Sequence, residues 1–184
     1  MCIRDRYYDE DDKPLSILEI PGAMDVAIEF QSFSKTFNMT GWRLAYAVGN
    51  AKLIAGLLRA KTNIDSGPLL AVQEAGVFAL QNAKKFSDPI RALYFKRRKI
   101  ILDGLDQLGI KYLFPKATFF IWAEVPGGEP SFDFTKKLIQ KEGLVVTPGI
   151  GFGQEGEKYF RLALTVPDQS LVDAIQRLER VTKK

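Results

Sequence analysis

Twelve consecutive residues, Ser32-Phe33-Ser34-Lys35-Thr36-Phe37-Asn38-Met39-Thr40-Gly41-Trp42-Arg43, hold the densest chemistry in this chain of 184 residues. Lys35 supplies an amine that can bond an aldehyde and move protons. Ser32 and Ser34 supply hydroxyl donors. Arg43, eight residues past Lys35, supplies a planar fork for two phosphate oxygens. Gly41 leaves room for a ligand to approach the backbone. The set suits an aldehyde that carries a phosphate. Each residue alone has an ordinary explanation: a solvated lysine, two turn serines, a surface ion pair. The spacing is what joins them.

A second candidate is Arg161 in Tyr159-Phe160-Arg161-Leu162-Ala163. Strand alternation turns it to the face opposite Phe160 and Leu162. The bland alternative is an edge-strand charge in water. Just upstream lies the glycine-rich run Pro148-Gly149-Ile150-Gly151-Phe152-Gly153. No helix pattern comes after it, so a dinucleotide fingerprint is a poor reading. Phe119, Phe120 and Trp122 read as core.

The elements that must position these groups come from periodicity. Short strands are expected at Val26–Phe30, entering the lysine segment, and at Leu44–Val48, leaving it. Leu53, Ile54, Leu57 and Leu58 form one stripe of an amphipathic helix, broken at Asn63–Pro68. Leu69–Leu80 reads as helical. Asp88-Pro89 is expected to start a long helix that Gly109 ends. Beyond it come strands at Tyr112–Phe114, Thr118–Glu124, Leu144–Thr147 and Phe160–Thr165. Helices are expected at Phe132–Gln140 and along Leu171, Ile175, Leu178 and Val181. Strands alternating with helices give an α/β layering.

Composition narrows the classes. The net charge is +4, but Lys and Arg are dispersed, and Lys96-Arg97-Arg98-Lys99 falls inside a helical pattern. A solvated helix face, not nucleic acid, explains it. No run of about 18 apolar residues occurs, so no membrane span is expected. With one Cys and no His, neither a Cys/His metal site nor a Ser-His-Asp triad can be built from these residues. Cys2 as the one cysteine fits a reducing, cytoplasmic setting.

The pattern Ser-x-Ser-Lys with a later Gly-x-Arg resembles the cofactor-lysine signature of class I/II aminotransferases, the fold type I enzymes that use pyridoxal 5′-phosphate. The resemblance runs from Tyr7 to the end. Within the class, Asn38–Leu44, Asn63–Gly67 and Pro21-Gly22-Ala23 with Val26 and Glu29 resemble the bacterial LL-diaminopimelate aminotransferases most. The resemblance implies transamination between an amino acid and a 2-oxo acid in amino-acid biosynthesis. It implies Lys35 as the catalytic, cofactor-bearing residue, with Ser32, Ser34 and Arg43 on the phosphate. It implies Arg161 on the substrate α-carboxylate, and a homodimer in which Asn63 reaches the partner's substrate. A plain helix C-terminal turn is an equal reading for Asn63.

By the same resemblance, residues 7–88 are the end of the large cofactor domain, a mixed sheet with helices. Residues 89–184 are the interdomain helix and the small α+β C-terminal domain. Met1–Arg6 lacks the apolar core of a signal peptide and does not suit the charged stretch Tyr7–Pro14 beside it; it is expected to be foreign sequence. The family's Asp partner for the ring nitrogen would fall just before Met1. The chain is therefore expected to be a C-terminal portion, inactive alone. Three alternatives stay open: an aminotransferase-like domain of a transcription regulator, an inert fragment that folds only in part, and another fold type I reaction.

Overall fold

In a computed structural model of the chain, residues 15–183 are described. The expectation for residues 1–6 and the charged stretch Tyr7–Pro14 lie outside them. The chain divides into two compact units. One runs through Arg91 and includes Lys116–Thr118; the other comprises Ala92–Pro115 and everything from Phe119 onward.

In the first unit, the turn Ile17–Glu19 is capped by Ser16, whose Oγ also donates to Glu29 Oε2 at 2.6 Å. Next come a helical turn α1 (Ala23–Val26), β1 (Ile28–Ser32), a second helical turn α2 (Phe33–Thr36) and β2 (Ala45–Gly49). The first strand thus starts two residues later than expected. Gly22 takes a left-handed φ of 80°, and the N–H of Ala27 closes on the carbonyl of Ala23 at 2.8 Å, so Val26 is held in a helical turn. β1 and β2 pair antiparallel, from Ile28 with Gly49 to Ser32 with Ala45.

Asn50 starts α3 (Ala51–Thr62): its Oδ1 accepts from the N–H groups of Lys52 and Leu53 at 3.0 and 3.1 Å. Then come α4 (Leu70–Gln81) and α5 (Ala83–Gln107). The long helix therefore begins before Asp88-Pro89, and Pro89 lies inside it. Pro89 lacks the N–H that would bond Lys85, a cost of one helix hydrogen bond. The turns on either side are held by Phe86 against Phe78, rings 6.0 Å apart, and by Arg91 on Asp88 at 2.6 Å. Gly109, at φ 66°, ends the helix as expected, with the N–H of Ile110 on the carbonyl of Leu105 at 3.0 Å.

The second unit is a four-stranded antiparallel sheet in the order β3-β4-β6-β5: β3 (Tyr112–Leu113), β4 (Phe120–Glu124), β5 (Thr147–Pro148) and β6 (Tyr159–Ala163). β5 is shorter than expected. Gly143 ends α6 (Ser131–Glu142) with φ 61°, and the N–H of Leu144 is held by the carbonyl of Leu138. That donor is therefore spent on the helix end and not on the sheet. Alternation divides the sheet cleanly. Ile121, Ala123, Phe160 and Leu162 are buried with Phe134 and Leu138 of α6 and with Leu171 and Leu178 of α7 (Asp168–Thr182). Ile101, Leu102 and Leu105 of α5 join this core. Among the described residues no helix is long and apolar enough to cross a membrane.

One ion network ties the last helix to the long one. Asp168, the first residue of α7, takes Arg97 at 3.0 Å and Lys96 at 2.8 Å, while Arg97 Nη1 donates to the carbonyl of Leu164 at 3.0 Å. The hydrogen bonds from Lys96 and Arg97 hold the Asp168 carboxyl below the usual carboxylate range. A depressed folded pKa contributes stability above the unfolded value, about 3.9, and that contribution fades as pH falls through the folded value. Asp168→Asn should therefore lower the urea midpoint at pH 7, and the gap to the parent should close as pH drops below about 3.9. Midpoints measured across that range check it.

Candidate active site

The twelve-residue segment that carries the chemistry is the connection of a β-ribbon. Ser32 pairs with Ala45, and the N–H of Phe33 donates to the carbonyl of Leu44 at 3.2 Å, so its two ends are clamped together. Inside the clamp the chain makes one helical turn, α2. Ser32 is its N-cap, with Oγ accepting from the N–H of Ser34 at 3.2 Å. The N–H groups of Phe37 and Met39 close on the carbonyl of Phe33 at 3.1 and 3.3 Å. Thr40 Oγ1 donates to the carbonyl of Ser34 at 3.2 Å. Arg43 sits in the left-handed region at φ 51°, with Nη1 on the carbonyl of Thr40 at 3.1 Å.

Aromatic residues hold this turn. Phe33, 3% exposed, forms a small core with Leu44 and Ala79, and Phe37, Met39 and Val72 pack against it. Phe33 stacks on Phe37 at 5.6 Å and meets Tyr46 edge-on at 5.5 Å. Helix α4 approaches through Gly76: a Cβ there would lie 2.4 Å from Leu44 Cδ2 and 3.2 Å from Phe33 Cζ. Residues 33 and 37 are one turn apart and share a side of α2, between which Ser34, Lys35 and Thr36 are presented. Lys35 is half-buried, Ser34 is buried and Arg43 is exposed.

The donor set fits a phosphate-bearing aldehyde. Ser32 accepts one bond through its oxygen and retains its O–H proton to donate. Arg43 commits one of five N–H donors to Thr40. Asn63 is placed differently: it is exposed at the end of α3, and its Nδ2 donates to the carbonyl of Arg59 at 2.7 Å. Asp65 beside it, bonded by Lys61 and then by the N–H of Gly67, is held below the usual carboxylate range. Among the described residues there is no group of three or more His, Cys, Asp or Glu arranged to hold a metal.

Arg161 belongs to the second unit, on β6 between Trp122 of β4 and Thr147 of β5. It occupies the sheet face opposite Phe160 and Leu162. Its guanidinium lies 4.1 Å from the ring centre of Phe120 and 4.5 Å from that of Phe152. Burial lowers its proton affinity from the ordinary arginine value. Among the described residues its Nε is closed to solvent without a hydrogen-bond partner. Such a donor costs about 1–3 kcal/mol, which cation–π attraction of about 0.5–2 kcal/mol per ring partly offsets. The expectation that Phe119, Phe120 and Trp122 are core is thus corrected. All three are half-buried, and Phe120 and Trp122 share the face of Arg161, because the buried positions of β4 are the alternate ones, Ile121 and Ala123. No local pattern marks Phe152 or Phe33 as site-building residues, since their partners are distant in sequence.

Fold and lysine turn together define a class, and the chain belongs to it: the family Aminotransferase class I and II matches residues 9–178. Its fold is that of fold type I aminotransferases; an aminotransferase structure from Staphylococcus aureus superposes with a TM-score of 0.91 at 32% identity, over 98% of this chain and 47% of that one. Among curated proteins, the LL-diaminopimelate aminotransferase of Oleidesulfovibrio alaskensis is 53% identical over 94% of this chain. That of Aquifex aeolicus is 48% identical over 95%. The chain spans 44% and 45% of the length of these two relatives. Enzymes of the family use pyridoxal phosphate.

Phe33 is the residue on which the lysine turn rests. Phe33→Ala should cost about 3–5 kcal/mol and speed amide exchange at Phe37 and Met39, whose N–H groups close on it. Urea denaturation and hydrogen exchange measure the two effects.

Proposed function

We propose that the protein to which this chain belongs is a pyridoxal-phosphate-dependent aminotransferase that moves an amino group between LL-diaminopimelate and a 2-oxo acid, in lysine biosynthesis. The observation that carries the reading is the clamped ribbon connection, which presents Lys35 between a capping hydroxyl and a guanidinium with donors to give. The naming of several relatives at about half identity supports the substrate.

The roles come from the side chains. Ser32 donates its O–H to a phosphate oxygen, and Ser34, buried behind it, belongs to the same cradle. Arg43 grips two phosphate oxygens with its fork. When bound, pyridoxal phosphate supplies an electron sink for the charge left at the substrate α-carbon. Nζ of Lys35 takes the proton from that carbon. Arg161 holds the substrate α-carboxylate. Asn63 reaches substrate across a homodimer, which requires its amide to leave the Arg59 carbonyl.

Residues 7–88 then form the end of a large domain and residues 89–184 the helix and small domain after it. The surface of the first unit supports this. Val26, Ile64 and Leu69 are 76%, 80% and 72% exposed, and no residue of α3 is buried. Such faces are those of elements cut from a larger layer. The setting proposed is the cytoplasm.

In the full-length enzyme, Lys35→Ala should lower turnover by at least about 10²–10⁴-fold, the range for a positioned acid–base group. Borohydride reduction after incubation with pyridoxal phosphate should leave the label on the Lys35 peptide of the parent, and none there in the variant. Transamination at parental rate by Lys35→Ala would remove the assignment.

A further inference from the structure

Among the described residues, Arg161 is the one polar group on its sheet face held between two aromatic rings, and the rings come from different elements. Phe120 is on β4, in register with the sheet. Phe152 ends the short helical turn Gly149–Phe152, outside the sheet and 50% exposed. A half-exposed phenylalanine would ordinarily leave a guanidinium free to swing. Here its position is determined from behind. Ser131, wholly buried at the start of α6, accepts from the N–H of Ile150 at 3.2 Å and donates to Glu157 Oε2 at 2.9 Å. Glu157 Oε1 in turn accepts from the N–H of Ser131 at 3.2 Å. Gly149 and Gly156 meet backbone to backbone: a Cβ on Gly149 would lie 1.9 Å from the carbonyl oxygen of Gly156. Phe152 is braced sideways by Trp122, edge-on at 5.0 Å, and Trp122 by Tyr159 at 6.4 Å.

We propose that Phe152, carried by the loop that Ser131 and Glu157 latch, is a positioning residue for Arg161. With Phe120 it fixes the plane of the guanidinium and covers Nε, so that an incoming carboxylate meets the two Nη groups. The glycines of this loop serve that latch: they let two stretches of backbone touch, and no phosphate role is needed for them. The second part of the proposal rests on Arg161 as the carboxylate residue; the first part does not.

The test uses the full-length enzyme with ¹⁵N-labelled arginine, the Arg161 Nε–H signal being assigned by its loss in Arg161→Lys. In the parent, the order parameter of that N–H should lie near the rigid value of about 0.85, and in Phe152→Ala it should fall below about 0.6. Phe152→Tyr, which keeps the ring, should restore it. Phe152→Leu keeps apolar bulk without the ring and carries the same test should alanine perturb the loop. Ser131→Ala should loosen Arg161 partway. A rigid Arg161 in Phe152→Leu, or a mobile one in the parent, would overturn the proposal. Pyruvate, the smallest 2-oxo acid with a carbon side chain, should shift the Arg161 Nη signals of the parent and bind Arg161→Lys more weakly. If pyruvate binds Arg161→Lys as well as the parent, the carboxylate role of Arg161 fails while the order parameters still decide the clamp.

Discussion

The pairing of Ser32 with Ala45 is the constraint on which the site of the first unit depends. It brings together the two ends of a twelve-residue segment and so converts a linear spacing into a closed loop. Loop closure of this size carries an entropic cost, and a two-stranded ribbon is marginal by itself. The small core around Phe33, Leu44 and Ala79 offsets both. Burying Phe33 therefore does two things at once. It seats the ribbon on α4, and it orients the single helical turn that carries Lys35.

The same logic, with different materials, builds the arginine site of the second unit. A four-stranded sheet buries every other residue against helices, and the unburied alternates of β4 and β6 are left to make a surface of their own. That surface holds the rings of Phe120, Trp122 and Tyr159 with Arg161, and Glu124 at the end of β4. A guanidinium stays charged under almost any desolvation, so flanking it with rings lowers its proton affinity without discharging it. The result is a charge with few competing partners, in a plane that its neighbours define. The Asp168 network works differently: a half-buried carboxylate, salt-bridged to Lys96 and Arg97, and sensitive to pH.

Helix ends show where packing overrides local rules. Gly109 and Gly143 both end helices with a left-handed residue, and the first is readable because glycine faces no steric objection there. Pro89 misleads because proline at a first turn is the common case. A proline inside a helix is tolerated when the flanking turns have partners, and those partners, Phe78 and Asp88, are identified only by packing. Val26 misleads for a related reason: its β-branched character suits a strand, but Gly22 has already turned the chain into a helical turn.

By itself the sequence determined what depends on short separations. The lysine motif, its hydroxyls and its arginine lie within twelve residues, so their grouping needs only one turn and one ribbon. The face that Arg161 occupies is legible because strand alternation is a period of two. The tertiary structure alone decided what holds those groups. Phe33 meets Gly76, which lies two helices further along the chain, and Arg161 is clamped by Phe120 and Phe152 from other elements. Asn63 is engaged by its own helix end. Contacts of that kind carry no periodic signal, because they are set by where whole elements pack and not by the rise of any one of them.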